Sequence, residues 1–363
     1  MGDGSLWGGG IFESALRRLH ILHRDGPEPR RLTLALVAVA WLPFVVLGVP
    51  GYLRTGHWDP VLLSLQSHLR WLVAAPLLLL AEPVVEGRVQ LTLRYLRKSG
   101  LAVGATEATL HHDERRMAAW CKSRVLELLL LGLALIPTPI TLKLTSSAPG
   151  WWYGMVAIPL FRFLLLRWAQ RWLLWIVLLA HVSRLKLTLI GSHPDRAGGL
   201  GVLVQPSRAF GLVILALGTV VASELGMRLL AGMPFPHMVP TILAYVGLSL
   251  VLVVAPLLAF VPALVQTKRL DEYKYGVFAR TYVHAFERRW LGDTRDSPLG
   301  SDDIQALNDL GGAYRVVDET RIVPFSARFI GEMTLVALLP ILPVYLASVS
   351  IGQLARTLMR FIF

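Results

Sequence analysis

Apolar residues in this chain fall into long, nearly continuous runs, without the two-residue alternation of strands or the one-sided stripe of a soluble helix. The runs are Leu32–Leu53, Trp71–Val85, Val125–Leu142, Trp151–Val182, Phe210–Ala231, Val239–Val265 and Ile330–Ile351. A hydrocarbon core about 30 Å thick takes about 20 residues of helix at about 1.5 Å each, and only the second run sits at the short end of that range. The pattern predicts an all-α polytopic transmembrane helix bundle of about seven spans. Prolines interrupt several runs, at Pro43, Pro76, Pro137, Pro139, Pro159, Pro256 and Pro262. Each predicts a kink that releases backbone carbonyls. Pro340 and Pro343 lie at the centre of the last run, so a full crossing and a kinked hairpin both fit there.

The polar stretches between the runs divide the chain. Residues 1–31 form an N-terminal segment, 32–265 a bundle of six spans with loops 86–124 and 183–208, and 266–329 a helical segment. Residues 330–352 are the last span or hairpin, and 353–363 an amphipathic tail. Within 86–124 the pattern predicts two short helices around a glycine-containing turn, with His111, His112, Asp113 and Glu114 at the joint. Four consecutive helical residues point in different directions, so that cluster does not converge on one metal ion. Lys268–Trp290 reads as a charged amphipathic helix. Asp302–Leu310 reads as a second one, capped by Ser301 and ended by Gly311-Gly312. Together they predict a small helical cytoplasmic collar.

Composition agrees with burial in lipid: 54% of residues are hydrophobic, 17% are charged and the mean hydropathy is +0.56. Charge then sets orientation. With a cytoplasmic N-terminus, the inside segments hold 27 of the 36 lysines and arginines, which is the positive-inside bias. That bias, with contact to anionic lipid headgroups as a partner, accounts for the net charge of +12. No zinc finger, RNA-binding aromatic motif or basic zipper points to nucleic acid. Met1–Arg31 lacks the apolar core of a cleavable leader, so the first span is expected to act as the targeting signal. The single cysteine, Cys121, permits no intramolecular disulfide and no cysteine-rich metal site. No cofactor is expected.

Candidate chemistry concentrates in two places. The fourth run carries Arg162, Arg167 and Arg171. Arg167 and Arg171 share a helix face, and Arg162 is rotated roughly 140° from Arg167. Counting along the helix places Arg171 near an interface, where it can snorkel, and Arg162 near the midplane. There Arg162 needs a carboxylate, a helix-end carbonyl or a water-filled path. The acids within reach of the membrane are Glu82, Glu127 and Glu224; Glu224 can pair with Arg228 on its own helix, and Glu127 belongs near the surface beside Arg124. The second place is the loop His193-Pro194-Asp195-Arg196-Ala197-Gly198-Gly199-Leu200-Gly201. Gly198, Gly199 and Gly201 permit positive φ or an anion-binding nest of N–H groups, and Asp195 caps the turn or pairs with Arg196. A packed hinge, a gate or ligand site, and a catalytic loop all fit this pattern.

This loop resembles a motif of a family of bacterial polytopic inner-membrane proteins of uncharacterised activity. The resemblance extends to Ser183-Arg184-Leu185, to Ser301-Asp302-Asp303-Ile304-Gln305-Ala306-Leu307-Asn308-Asp309-Leu310-Gly311 and to Arg321-Ile322-Val323-Pro324-Phe325, over roughly residues 60–350. It implies fold and a bacterial inner membrane, not a mechanism. Three readings of function follow. The first is an oligomeric channel or transporter whose arginines favour anions, with a small ion or ligand as partner. The second is a membrane-embedded enzyme or lipid-handling protein using His193 and Asp195, although no Gly-x-Ser-x-Gly, His-Glu-x-x-His or paired intramembrane aspartates occur. The third is a structural or signalling membrane component that transports nothing.

Overall fold

The computed structural model describes residues 29–291 and 302–349; most of the N-terminal segment, Ser301 and the tail 353–363 lie outside them. Every regular element among these residues is helical, with no strand. Five helices are long and apolar enough to cross a membrane: Thr33–Thr55, Ala148–Val182, Leu200–Leu230, Phe235–Leu258 and Ala327–Ser348. The principal elements are α1 (Pro29–Val46), α2 (Ala75–Lys98), α3 (Ala105–Cys121), α4 (Arg124–Leu135) and α5 (Ile158–Val182). They are followed by α6 (Gly211–Leu230), α7 (Val239–Leu258), α8 (Val261–Trp290), α9 (Asp302–Asp318) and α10 (Ala327–Leu338).

Two expected spans fall outside those five. The second, Trp71–Val85, is helical but belongs to a longer rod, with a π-wound turn at Arg70–Ala74 leading into α2, whose charges lower its mean hydropathy. The third, Val125–Leu142, is not one helix. α4 stops at Leu135, Ile136 and Thr138 are extended, and a short helix follows at Pro139–Lys143. Pro137 and Pro139 explain the interruption, because each disfavours helical geometry at the residue before it and supplies no N–H.

The core gathers around α6. Its small residues Gly211, Ala216, Gly218, Ala222 and Ser223 are buried and let neighbours approach closely. A Cβ at Gly218 would stand 2.5 Å from the Tyr245 hydroxyl oxygen and 2.9 Å from Pro340 Cγ, so α7 and the last helix both rely on that glycine. The Tyr245 hydroxyl donates to Ile214 O at 2.6 Å. Tryptophan N–H groups tie α5 and the turn before it to three partners: Trp168 to Leu78 O on α2, Trp172 to Leu252 O on α7, and Trp152 to Ala40 O on α1. Each bond satisfies a donor that would be costly to leave bare in an apolar interior.

The polar segments depart from expectation in three places. α2 runs on to Lys98 before a turn with positive φ at Gly100 and Gly104, so His111–Glu114 lie inside α3 and not at a joint. α8 follows α7 directly after Phe260, and the charged helix is the continuation of the sixth run. α9 passes through Gly311-Gly312 without a break. Two glycines cost about 1 kcal/mol each in a helix, and packing of α9 antiparallel to α8 overrides that. Tyr282 donates to Asp303 O, Arg289 pairs with Asp303 at 2.9 Å, and Lys268 reaches Asp318 O at the other end.

Candidate functional site

The arginines of α5 are all engaged, each differently. Arg171 is only 5% exposed and its guanidinium bonds to the Glu82 carboxylate of α2, while Arg167 Nη2 lies 3.6 Å from the same oxygen. The one-turn spacing puts both guanidinium groups on the face that meets α2. Trp168 closes the cluster, with its ring 5.3 Å from the Arg171 guanidinium carbon. Arg171 therefore does not snorkel to a surface. It is buried because an acid stands opposite, and nothing local in the sequence aligns α2 with α5.

Arg162 points elsewhere, as the rotation predicts. Its Nη1 donates to Ile136 O at 2.9 Å and its Nη2 to Thr138 Oγ1 at 3.0 Å. Its partner is a helix-end carbonyl, beyond the C-terminus of α4 where the dipole favours a cation. Among the described residues no carboxylate lies within ion-pair distance of Arg162. Arg228 and Glu224 pair at 3.0 Å within α6 as expected, and Glu127 occupies the first turn of α4, capped by Ser123. Sequence reasoning missed Arg70. Its Nη1 donates to the Tyr153 hydroxyl at 2.7 Å, and its guanidinium lies over the Tyr153 and Phe161 rings. Its place just before an apolar run was the available signal.

The Gly191–Gly201 loop is filled by its own aspartate. Asp195 Oδ1 accepts the N–H groups of Ala197 and Gly199 at 2.8 and 3.1 Å, Oδ2 accepts that of Gly201 at 2.8 Å, and His193 Nδ1 lies 2.8 Å from Oδ1. Arg196, Gly198 and Gly199 all have positive φ, which wraps the backbone around the carboxylate. The nest predicted for an external anion is thus occupied, and Arg196 pairs with Glu319 at 2.9 Å instead of with Asp195. Burial acts to raise the Asp195 pKa, but the bonds from Ala197, Gly201, Gly199 and His193 outweigh it and hold the pKa below the ordinary carboxylate value.

The outer side of the loop is held from far away in sequence. Asp271 on α8 accepts the Gly191 N–H at 2.7 Å, and the Thr320 hydroxyl donates to Gly191 O at 2.8 Å. Arg321 donates its backbone N–H to Arg196 O and its Nη2 to Asp195 O, each at 2.8 Å. Asp271 and Thr320 carry no local motif that would have revealed them, and Arg321 opens the Arg321–Phe325 motif without anything in it placing that motif against the loop. A groove of about 450 Å³ separates α3 from α5, lined by Asp113, Arg116, Trp120, Val177 and His181. Cys121 ends α3, and burial pushes its thiol up to about 11. Among the described residues, no group of three or more histidine, cysteine or acidic side chains is placed to hold a metal ion.

No family model, curated protein or solved structure matches the chain. Chemically, the geometry offers one partly buried ion cluster, one cation seated on an interrupted helix, and one loop clamped to a helical hairpin.

Proposed function

We propose that this chain is an integral protein of a bacterial inner membrane that acts as an oligomeric channel or transporter for anions. In this reading it crosses seven times with a cytoplasmic N-terminus, the rod containing α2 and the interrupted α4 supplying the second and third crossings. The α8–α9 hairpin forms a cytoplasmic collar against the loop at residues 191–201. The observation that carries the anion reading is Arg162. It is the one arginine of α5 without a carboxylate among the described residues, and basic side chains are one way to build an anion path. A guanidinium has five N–H donors, and the Ile136 and Thr138 bonds use two of them.

The test is ion flux from proteoliposomes under chloride, nitrate, potassium and proton gradients. Anion-selective flux whose selectivity or rate changes several-fold in Arg162→Gln is the expected result; absence of flux for every ion overturns the reading. The scaffold alternative draws support from the Glu82 cluster, where both guanidinium groups already meet a carboxylate as in a structural ion pair. The enzyme or lipid-handling alternative has less to stand on, because His193 and Asp195 face each other and the loop's own N–H groups.

A further inference from the structure

We infer that Arg70, Trp71 and Tyr153 hold a small inorganic anion, of the chloride or nitrate class, in the outer half of the membrane. The inference deepens the anion reading above and rests on its membrane placement. Two π-wound turns meet at this place: Arg70–Ala74, which leads into α2, and Tyr153–Ala157, which leads into α5. Wide turns of this kind are frequent at functional sites. The bond from Arg70 Nη1 to the Tyr153 hydroxyl joins the first residue of one turn to the first residue of the other. The Arg70 guanidinium carbon lies 5.9 Å from the centre of the Tyr153 ring and 5.5 Å from that of Phe161. Those residues stand about 3 and 15 Å along the run that begins at Trp151, so the cation lies at membrane depth.

A charge at that depth ordinarily has a partner, yet among the described residues no carboxylate lies within ion-pair distance of Arg70. Its Nε is buried without a hydrogen-bond partner. So is Nε1 of Trp71, a side chain that is 0% exposed and packs edge-on against the same Phe161 ring, 6.1 Å between centres. Tyr153 is buried too, and its oxygen accepts from Arg70, which leaves its own proton without an acceptor among the described residues. Buried donors left bare are costly, and in native proteins such groups call for an explanation. Three of them around one cation are the complement of an anion, which accepts several N–H and O–H groups at once. Water fits less well, because its own two protons would find no acceptor among these groups. The aromatic rings cover the guanidinium, and Arg70 alone of the three is partly open to the outside.

The indole N–H of Trp71 reports on the site directly. Its proton–nitrogen correlation signal, assigned by its loss in Trp71→Phe, is followed in the detergent-solubilised full chain during titration with sodium chloride and, separately, with sodium gluconate. The signal is expected to move saturably with chloride and not with gluconate. Tyr153→Phe should raise the half-saturating chloride concentration about tenfold, the factor for one lost hydrogen bond to a charged group, and Arg70→Gln should abolish saturation. Arg208→Gln, which removes an exposed guanidinium paired with Glu332, should titrate as wild type does. A Trp71 signal that moves alike in both salts overturns the inference. So does an unchanged half-saturation in Tyr153→Phe, which keeps every ring and decides the matter if Arg70→Gln does not fold. Saturable binding at Trp71 in a chain that carries no anion flux supports the site and removes the transport reading; anion flux with no response at Trp71 overturns the site and leaves the transport reading standing.

Discussion

Glu82 faces two guanidinium groups, so the energetics of that cluster are lopsided. Removing the carboxylate leaves Arg171 enclosed without its counter-ion, whereas removing one arginine leaves the other in place. Glu82→Gln is expected to cost about 3 kcal/mol and lower the melting temperature of the detergent-solubilised protein, with Arg167→Gln costing clearly less. Equal melting temperatures for wild type and Glu82→Gln would count against a buried pair. Asp195 behaves differently because its partners are mostly backbone. Its pKa is depressed in the folded chain. Its contribution is therefore complete above the unfolded value of about 3.9 and lost as pH falls through the lower folded value. The loop in Asp195→Asn should be less protected from hydrogen exchange than in wild type at pH 7, and the difference should shrink as pH falls below about 4. A difference that grows on acidification would contradict the assignment. The sequence did expose the kinds of partner available to Arg162, which follow from its depth along the run, and the pairing of Glu224 with Arg228, which follows from helix periodicity. It missed the burial of Arg171 against Glu82, because that depends on the register between two helices distant in the chain.

At the scale of elements, local punctuation was informative where no tertiary packing opposed it. Pro137 and Pro139 lie at the edge of the bundle and end α4 as proline chemistry dictates. Gly311-Gly312 did not end α9, because α8 lies alongside and holds both ends of the helix. Neither glycine has a neighbour within 4 Å of an added Cβ. Gly311→Ala and Gly312→Ala should each stabilise α9 by about 1 kcal/mol, visible as slower proteolysis of the 302–318 segment. Faster cleavage in either variant would mean that the hairpin needs the glycine for some other purpose. The continuity of α8 with α7 was hidden for a related reason. A change from apolar to charged composition looks like an element boundary, yet here one helical path simply changes its surroundings.

At the scale of the molecule, the all-helical character and five of the seven apolar runs were legible, since length and hydropathy are additive along a helix. The remaining two differ because one carries charges into the bundle and the other is cut by proline. The clamp on the 191–201 loop was not legible at all. It joins Gly191 to Asp271 and Thr320, and Arg196 to Arg321, which are 80, 129 and 125 residues away respectively.

Those separations have a consequence for biogenesis. Translation adds about 5–20 residues per second, so the loop is synthesised roughly 6–26 s before Thr320 and Arg321 exist. During that interval Asp195 can already bind its own N–H groups, but the Gly191, Asp195 and Arg196 carbonyls have only water. The last polar strap to be synthesised is the one that closes them, so a nascent chain that stalls before residue 320 carries an unfastened loop that the finished protein never displays.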